Sequence, residues 1–139
     1  MSNEEPKERT IEDIITDKTL SDDEKIFEIA QTFGLPVADR RIYENEVADY
    51  KYFIIRRGML RKTSQSAYVR QIEIVYVFDG EQEISDFDII NTFERIPNFR
   101  FVRMEPDEGQ VAQTNRYLEL NTYIFERAER SFRYVEGNS

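Results

Sequence analysis

The chain of 139 residues contains no cysteine and no histidine. Without cysteine it forms no disulfide, no thiolate metal site and no cysteine nucleophile. Without histidine as well, it lacks the usual ligands of zinc and the base of every catalytic triad that depends on histidine. The two absences therefore exclude these classes of active site.

Long apolar runs and phosphate-binding loops are also missing. No run approaches the roughly 18 apolar residues that a membrane span needs, and the first ten residues, MSNEEPKERT, are polar and acidic. We therefore expect neither a secretion signal nor a membrane anchor. Because the sequence has no GxxxxGK[ST] or GxGxxG motif, nothing in it is built to hold a nucleotide phosphate, and we predict no cofactor.

The composition is that of one folded, acidic domain. Hydrophobic residues make up 40% of the chain and aromatic residues 13%, which is enough for a core and too much for a disordered tail. The 28 acidic residues outnumber the 19 basic ones, giving a net charge of −9. Such a protein does not bind nucleic acid through its overall field. Its charge fits three roles: repelling DNA that slides past, imitating DNA, or simply keeping the protein soluble.

The order of local signals predicts an α+β fold. Ser21 and Glu24 form a capping box that starts a helix over residues 22–33, and Gly34 and Pro36 end it. Ser85 starts a second helix, with Phe87, Ile90 and Phe93 along one face, which ends at Pro97-Asn98. A shorter helical turn is possible at Thr10, with Ile11, Ile14 and Ile15 on one side.

Four strands are predicted around these helices, over residues 50–57, 67–78, 99–105 and about 113–127, with turns at 58–65 and 106–109. The order α-β-β-α-β-β favours an antiparallel or mixed four-stranded sheet of two long hairpins with two flanking helices. We predict a flexible arm over residues 1–20 with a possible short helix, a single domain over 21–127, and a C-terminal tail over 128–139.

The predicted strands are apolar on more than one face. In residues 67–78 one face carries Ile72, Ile74 and Tyr76, while the other carries Val75 and Val77. Two helices cover only one face, so several hundred Å² of apolar surface would remain, which on a soluble protein usually marks a partner surface. Either the two chain termini fold over it, or another subunit covers it. We favour assembly. Strands that are longer than the core they cover also suit an extension of the sheet from one subunit to the next.

Charged clusters offer weaker signals. The carboxylates at Asp22/Asp23/Glu24, Asp86/Asp88 and Asp107/Glu108 could hold a divalent metal, but helix starts and loops favour such residues for other reasons. We therefore predict no catalytic residue and no metal ligand. The only basic concentration, residues 56–62, is either a run of charge that protects a sheet edge or a contact with an acidic neighbour. A contact with a phosphate backbone is a lesser option, because only a few charges are involved. The candidate interface residues are Arg57, Met59, Leu60, Arg61, Lys62, Val75, Val77, Tyr117, Tyr123 and Phe125.

Four segments together resemble the tail terminator proteins of long-tailed bacteriophages, also called tail completion or head–tail joining proteins. They are SDDEKIFEIAQTFG (21–34), the hairpin YKYFIIRRGMLRKTSQSAYVRQIEIVYVFDG (50–80), ISDFDIINTFERIP (84–97) and the hairpin FRFVRMEPDEGQVAQTNRYLELNTYIFER (99–127). The resemblance is one of order and spacing, and no short diagnostic motif accompanies it.

The resemblance implies a non-enzymatic virion protein that needs no cofactor. Such a protein forms a ring, usually of six subunits, that caps the tail tube and docks it to the head connector. Its partners would be copies of itself, the tube protein and the connector protein, and it would be found in the virion and, during assembly, in the host cytoplasm. DNA would pass through the ring without specific binding, and an acidic lumen would not hold it.

A different class of function stays open as the alternative. A small acidic inhibitor could imitate DNA and block a host nuclease or restriction system. It would need carboxylates along one face at about the spacing of phosphates, whereas the acidic residues of this chain are interleaved with arginines. A nuclease that uses a carboxylate-bound metal is a third possibility, and a titration that shows no Mg²⁺ or Mn²⁺ binding would dismiss it.

Overall fold

The structure is a computed structural model that describes residues 9–38, 50–110 and 117–130. These ranges contain three helices and five strands, and they confirm the predicted α+β class. In chain order they are α1 (Ile11–Thr16), α2 (Asp22–Gln31), β1 (Val37–Ala38), β2 (Tyr52–Lys62), β3 (Ala67–Phe78), α3 (Asp86–Phe93), β4 (Phe99–Gln110) and β5 (Tyr117–Arg130). Within the described ranges, no helix has the length and apolar character needed to span a membrane.

The strands form one mixed sheet in the order β1-β2-β3-β5-β4. Strand β1 runs parallel to β2, with Val37 opposite Phe53, and every other neighbouring pair is antiparallel. The prediction of four strands was wrong in this detail because it did not include β1. A strand of only two residues has no side-chain periodicity, so only its pairing with β2 reveals it.

Each helix begins at a residue whose side chain caps it. Thr10 forms a capping box with Asp13 and Ser21 forms one with Glu24, while the Ser85 hydroxyl accepts a hydrogen bond from the Asp88 N–H. These caps satisfy amide groups that have no partner inside the helix. The predicted start of α2 is confirmed, and its end is two residues earlier than predicted.

Helix α1 is part of the fold. Its Ile14 is buried in the core, and Ile11 and Ile15 pack against that core from the rim. The possible short helix predicted within the arm of residues 1–20 is therefore present as α1, and residues 9–20 are not a flexible arm, because burial of this apolar face fixes the helix against α2. Residues 1–8 lie outside the described part.

The main core lies between the three helices and one face of the sheet, which we call the helix-covered face. Aromatic rings dominate it, with centroids 5.1 Å apart for Phe53 and Tyr76 and 4.7 Å apart for Phe99 and Phe125. Helix α3 contributes Ile89 and Phe93. Phe87, predicted to share this face, is 74% exposed, because Ile89 and Phe93, four residues apart, are the pair that faces the sheet.

Two strands run through segments that the sequence predicts to be turns. Strand β2 continues to Lys62 because Gly58 and Met59 lie together opposite Gln71 in a β-bulge, after which pairing resumes at Leu60. Strand β4 continues through Pro106 because it lies at the edge of the sheet, where a missing N–H is tolerated. Strand β3 matches its prediction, residues 67–78, in full.

Strand β5 also differs at its ends. The predicted residues 113–116 lie outside the described part, and the strand continues past residue 127 to Arg130. It does so because Ala67, Tyr68 and Val69 of β3 provide partners for residues 128–130. Residues 128–130, predicted to belong to the C-terminal tail, are therefore part of β5, and residues 131–139 lie outside the described part.

The other side of the sheet, which we call the second face, holds a smaller apolar cluster of Val75, Val77 and Leu118. Val77 lies between Tyr52 of β2 and Leu120 of β5, and Val75 lies between Ile54 and Thr122. The valines are only 2% and 1% exposed. The expected uncovered apolar area is therefore wrong for the centre of this face, because larger neighbours on adjacent strands close over the valines.

Candidate functional site

Beyond the bulge in β2, the sheet continues as an outer arm. We define the outer arm as residues Arg57–Lys62 of β2, Ala67–Arg70 of β3 and Ala128–Arg130 of β5. Gly58 suits the bulge because a Cβ there would lie 3.0 Å from the Gln71 side chain. Beside it, Met59 is 75% exposed and Leu60 is 45% exposed. Two predicted interface residues are thus presented to solvent on a hydrogen-bonded antiparallel scaffold.

The cations of the outer arm are engaged by the chain's own groups. Arg61 Nη2 lies 2.7 Å from Glu126 Oε2, and Arg57 Nη2 lies 3.3 Å from Asp23 Oδ2. Lys62 Nζ lies 5.9 Å from the centroid of the Tyr68 ring. The predicted basic patch is therefore a network of ion pairs and a cation–π contact, in which Arg57, Arg61 and Lys62 take part.

Two glutamates of β5 anchor this network. Glu126 accepts hydrogen bonds from Arg61 and Arg100, and these contacts hold its pKa below the ordinary value. Glu129 accepts from Arg70 and Arg127. Burial raises the pKa of Glu129, but the hydrogen bonds from the two arginines outweigh burial and lower it.

Arg127 belongs to this network but is not among the interface residues predicted from the sequence. Its side chain is buried, with Nη1 2.8 Å from Asp23 Oδ1 and Nη2 3.1 Å from Glu129 Oε1. Burial opposes its charge, yet the two carboxylates outweigh burial and raise its pKa. The signal in the sequence was its alternation in phase with Tyr123 and Phe125, which places an arginine on the helix-covered face.

The remaining predicted interface residues are not brought together. Tyr117 is 58% exposed at the far end of the sheet from the outer arm. Val75 and Val77 are buried on the second face, whereas Tyr123 and Phe125 are fully buried on the helix-covered face. The prediction that these last four residues contact a partner was wrong for the described structure, because each already packs within the chain.

A groove lies under the base of the outer arm, between α2 and strands β2 and β3. Its volume is about 410 Å³, and its floor is apolar while its rim is charged. It is lined by Asp23, Glu24, Ile26, Phe27, Ile55, Arg57 and Ile72. These residues include no nucleophile beside a base, so the groove suits an apolar side chain better than a reacting substrate.

A polar cluster lies at the other end of the helix-covered face. The Tyr123 hydroxyl donates to Asp86, and Gln82 Nε2 donates to Asp86 Oδ1 at 2.9 Å and to the Ile84 carbonyl at 2.8 Å. Asn121 Nδ2 donates to Gln82 Oε1 at 3.3 Å. Burial, and next the bond to Asp86, raise the pKa of Tyr123. The cluster ties the segment before α3 to β5, and its tyrosine stays protonated at neutral pH.

The predicted carboxylate groups have structural partners in this fold. Glu24 completes the capping box of α2, Asp23 pairs with Arg57 and Arg127, and Asp86 accepts from Tyr123. Among the residues that the structure describes, no group of three or more carboxylates has the arrangement of a metal site. No protein-family profile matches this chain, and no curated protein sequence is significantly similar to it.

Proposed function

We propose that this protein is a structural assembly protein of a phage virion, which forms a ring that caps the tail tube and joins it to the head connector. The observation that carries the proposal is the outer arm, on which Met59 and Leu60 remain exposed at the end of a long, well-paired sheet. Exposed apolar side chains on a rigid support are typical anchors of a protein–protein contact.

Two further features support an assembly role. The resemblance to tail terminators implies an α+β protein with an antiparallel sheet flanked by helices, and the α+β class of this chain agrees with it, since its sheet is antiparallel apart from the short strand β1. The charged side chains around the outer arm are held by ion pairs, so Met59 and Leu60 protrude from a surface whose geometry is set in advance. Such preorganisation lowers the entropic cost of association.

The competing hypothesis is the DNA-mimicking inhibitor. An imitation of DNA needs carboxylates that remain available along one face. In the described part of the chain, Glu73, Glu126 and Glu129 each pair with at least one arginine, so the central strands do not present a bare acidic row. The geometry therefore favours assembly over imitation of DNA.

The test is assembly with isolated phage tail tubes. We expect light scattering and negative-stain electron microscopy to show rings of the protein alone, or rings formed at tube ends. The double variant Met59→Ser with Leu60→Ser should lose this association. Phe87→Ser is the matched control, because Phe87 is as exposed as Met59 but lies on α3 and outside the outer arm.

Two results would overturn the proposal. One is a protein that stays monomeric and leaves tail tubes unchanged at every concentration. The other is stoichiometric capture of a DNA-binding host nuclease together with inhibition of its activity, which would establish the competing hypothesis. Equal loss in the Phe87→Ser control would show that the outer arm is not the contact.

A further inference from the structure

The two hairpins point to opposite ends of the sheet. Ala67 of β3 pairs with Arg130 of β5, while Phe78 at the other end of β3 pairs with Glu119. The turn between β2 and β3 is therefore at one end, and the pair formed by Gln110 of β4 and Tyr117 of β5 is at the other. Twelve paired residues span about 40 Å, several times the screening length of about 8 Å in physiological salt. Charges at the two ends therefore act independently.

The outer arm has an excess of positive charge, because the side chains that the structure describes within it include Arg57, Arg61, Lys62 and Arg70 but one carboxylate, Glu129. Seven cationic side chains in and around the arm lie close to four carboxylates, and three of these carboxylates each bridge a pair of arginines from different strands. The cations are Arg56, Arg57, Arg61, Lys62, Arg70, Arg100 and Arg127, and the carboxylates are Asp23, Glu73, Glu126 and Glu129. Met59 and Leu60 lie exposed among these cations.

The opposite end has an excess of negative charge. We define the acidic end as residues Glu105–Gln110 of β4 and Tyr117–Glu119 of β5. Its carboxylates are Glu105, Asp107, Glu108 and Glu119, and Arg103 pairs with Glu105 at 2.9 Å. Glu108 lies directly opposite Glu119, a like-charge pairing that costs stability unless a cation approaches. Tyr117 offers exposed ring surface beside them.

The lateral edges of the sheet are poorly suited to pairing with another strand. Edge strand β4 carries Pro106 and a bulge at Val102, and the outer part of β2 carries its own bulge and charged residues. Bulges, proline and charge are the devices by which proteins block edge-to-edge pairing. Sheet extension between subunits, which the length of the strands would suit, is thus disfavoured, and the two ends remain as the complementary surfaces.

We infer that copies of this chain associate end to end, with the outer arm of one copy against the acidic end of the next. The excess cations then face Asp107, Glu108 and Glu119, and Met59 and Leu60 contact Tyr117. Because the two surfaces differ, the contact is heterologous and generates a closed ring or an open chain. That it closes into a ring rests on the proposed function, whereas the contact itself needs no phage component.

Charge reversal at each end tests the contact. One variant, Arg61→Glu with Lys62→Glu, reverses the outer arm, and another, Asp107→Lys with Glu108→Lys, reverses the acidic end. Measured by sedimentation velocity, each variant alone should associate at least about tenfold more weakly than the wild-type chain, because like charges then meet. An equimolar mixture should recover association, since each altered end finds a complementary partner. Wild-type association should weaken in 0.5 M NaCl, a concentration roughly three times physiological.

The control is the double variant Gln31→Lys with Asn91→Lys, which changes the net charge on exposed helical positions away from both ends. It should associate like the wild-type chain. The inference is overturned if either reversed variant associates normally, if the mixture fails to recover, or if the wild-type chain is monomeric at every concentration. End-to-end association without capping of tail tubes would overturn the proposed function alone.

Discussion

The two faces of this sheet are stabilised by different interactions. The helix-covered face is closed by aromatic rings and by apolar residues from all three helices. The second face is apolar only around Val75 and Val77, and toward the outer arm it changes to ion pairs such as Arg56–Glu73 and Arg61–Glu126. The comparison teaches that one sheet can combine a core with a surface that is polar but ordered.

The largest expected effect is on the helix-covered face. Phe93→Ala should lower the free energy of unfolding by about 3–5 kcal/mol, because Phe93 is fully buried against Phe33, Phe99 and Phe125 and its removal leaves a cavity. Urea denaturation followed by circular dichroism measures the change.

Val77→Ala tests the packing of the second face through the same measurement, the free energy of unfolding. Removal of two methyl-sized groups should cost about 1.5–2 kcal/mol. If Val77→Ala were as costly as Phe93→Ala, the second face would be a core of equal weight, and the distinction between the faces would fail.

The next largest effect on stability should distinguish the two buried tyrosines of the helix-covered face. Tyr123→Phe should cost about 1–2 kcal/mol, because it leaves Asp86 without its hydroxyl donor. Tyr76→Phe should cost less than this, because the buried Tyr76 hydroxyl makes no hydrogen bond of good geometry in the described structure, although the backbone N–H groups of Glu83 and Ile84 lie near it. Thermal unfolding of the two variants side by side measures the difference. A loss in Tyr76→Phe equal to that in Tyr123→Phe would reveal a partner for the Tyr76 hydroxyl.

The smallest effect concerns the ion pairs of the second face. Glu126→Gln should cost about 1 kcal/mol at pH 7, since Glu126 bridges Arg61 and Arg100. The folded-state pKa of Glu126 is lowered from 4.5. Its stabilisation is therefore complete above pH 4.5 and is lost as the pH falls through the lowered pKa.

The variant should accordingly show a shallower loss of stability on acidification than the wild-type chain, measured by denaturation at a series of pH values. Glu105→Gln is the control, because the Arg103–Glu105 pair is more than half exposed on both sides. It should change the free energy of unfolding by less than about 0.5 kcal/mol. A larger effect of Glu105→Gln than of Glu126→Gln would contradict the stabilising role of the Arg61–Glu126–Arg100 network.

Local signals were sufficient for much of the fold. Ser21 with Glu24 marked the start of α2, and the β-branched run of residues 67–78 marked β3, because capping and strand preference act between near neighbours. Gly58 and Pro106 were misleading, because both favour turns by themselves. Pairing of β2 with β3 places Gly58 in a bulge, and pairing of β4 with β5 places Pro106 in an edge strand.

The candidate site was predictable only in part. Arg57, Met59, Leu60, Arg61 and Lys62 could be singled out as a basic, apolar-containing run, and the structure places them on one arm. Their carboxylate partners could not be identified, because Asp23 and Glu126 are distant in sequence from the arginines they bind. The sequence also does not show which alternate residues of β5 face the core. Tyr123 and Phe125 are therefore predicted to lie on a partner surface, although they are core residues.

The amino-acid sequence by itself determined the α+β class, the helix starts, strand β3, and the exclusion of chemistry that needs cysteine or histidine. These follow from composition and from interactions within a few residues. Only the tertiary structure decided which apolar residues are buried, how far β2 and β4 extend, and that the two ends of the sheet carry opposite charge excess. The physical reason is that strand register sets which side chains meet, and register arises from pairing between segments far apart in the chain.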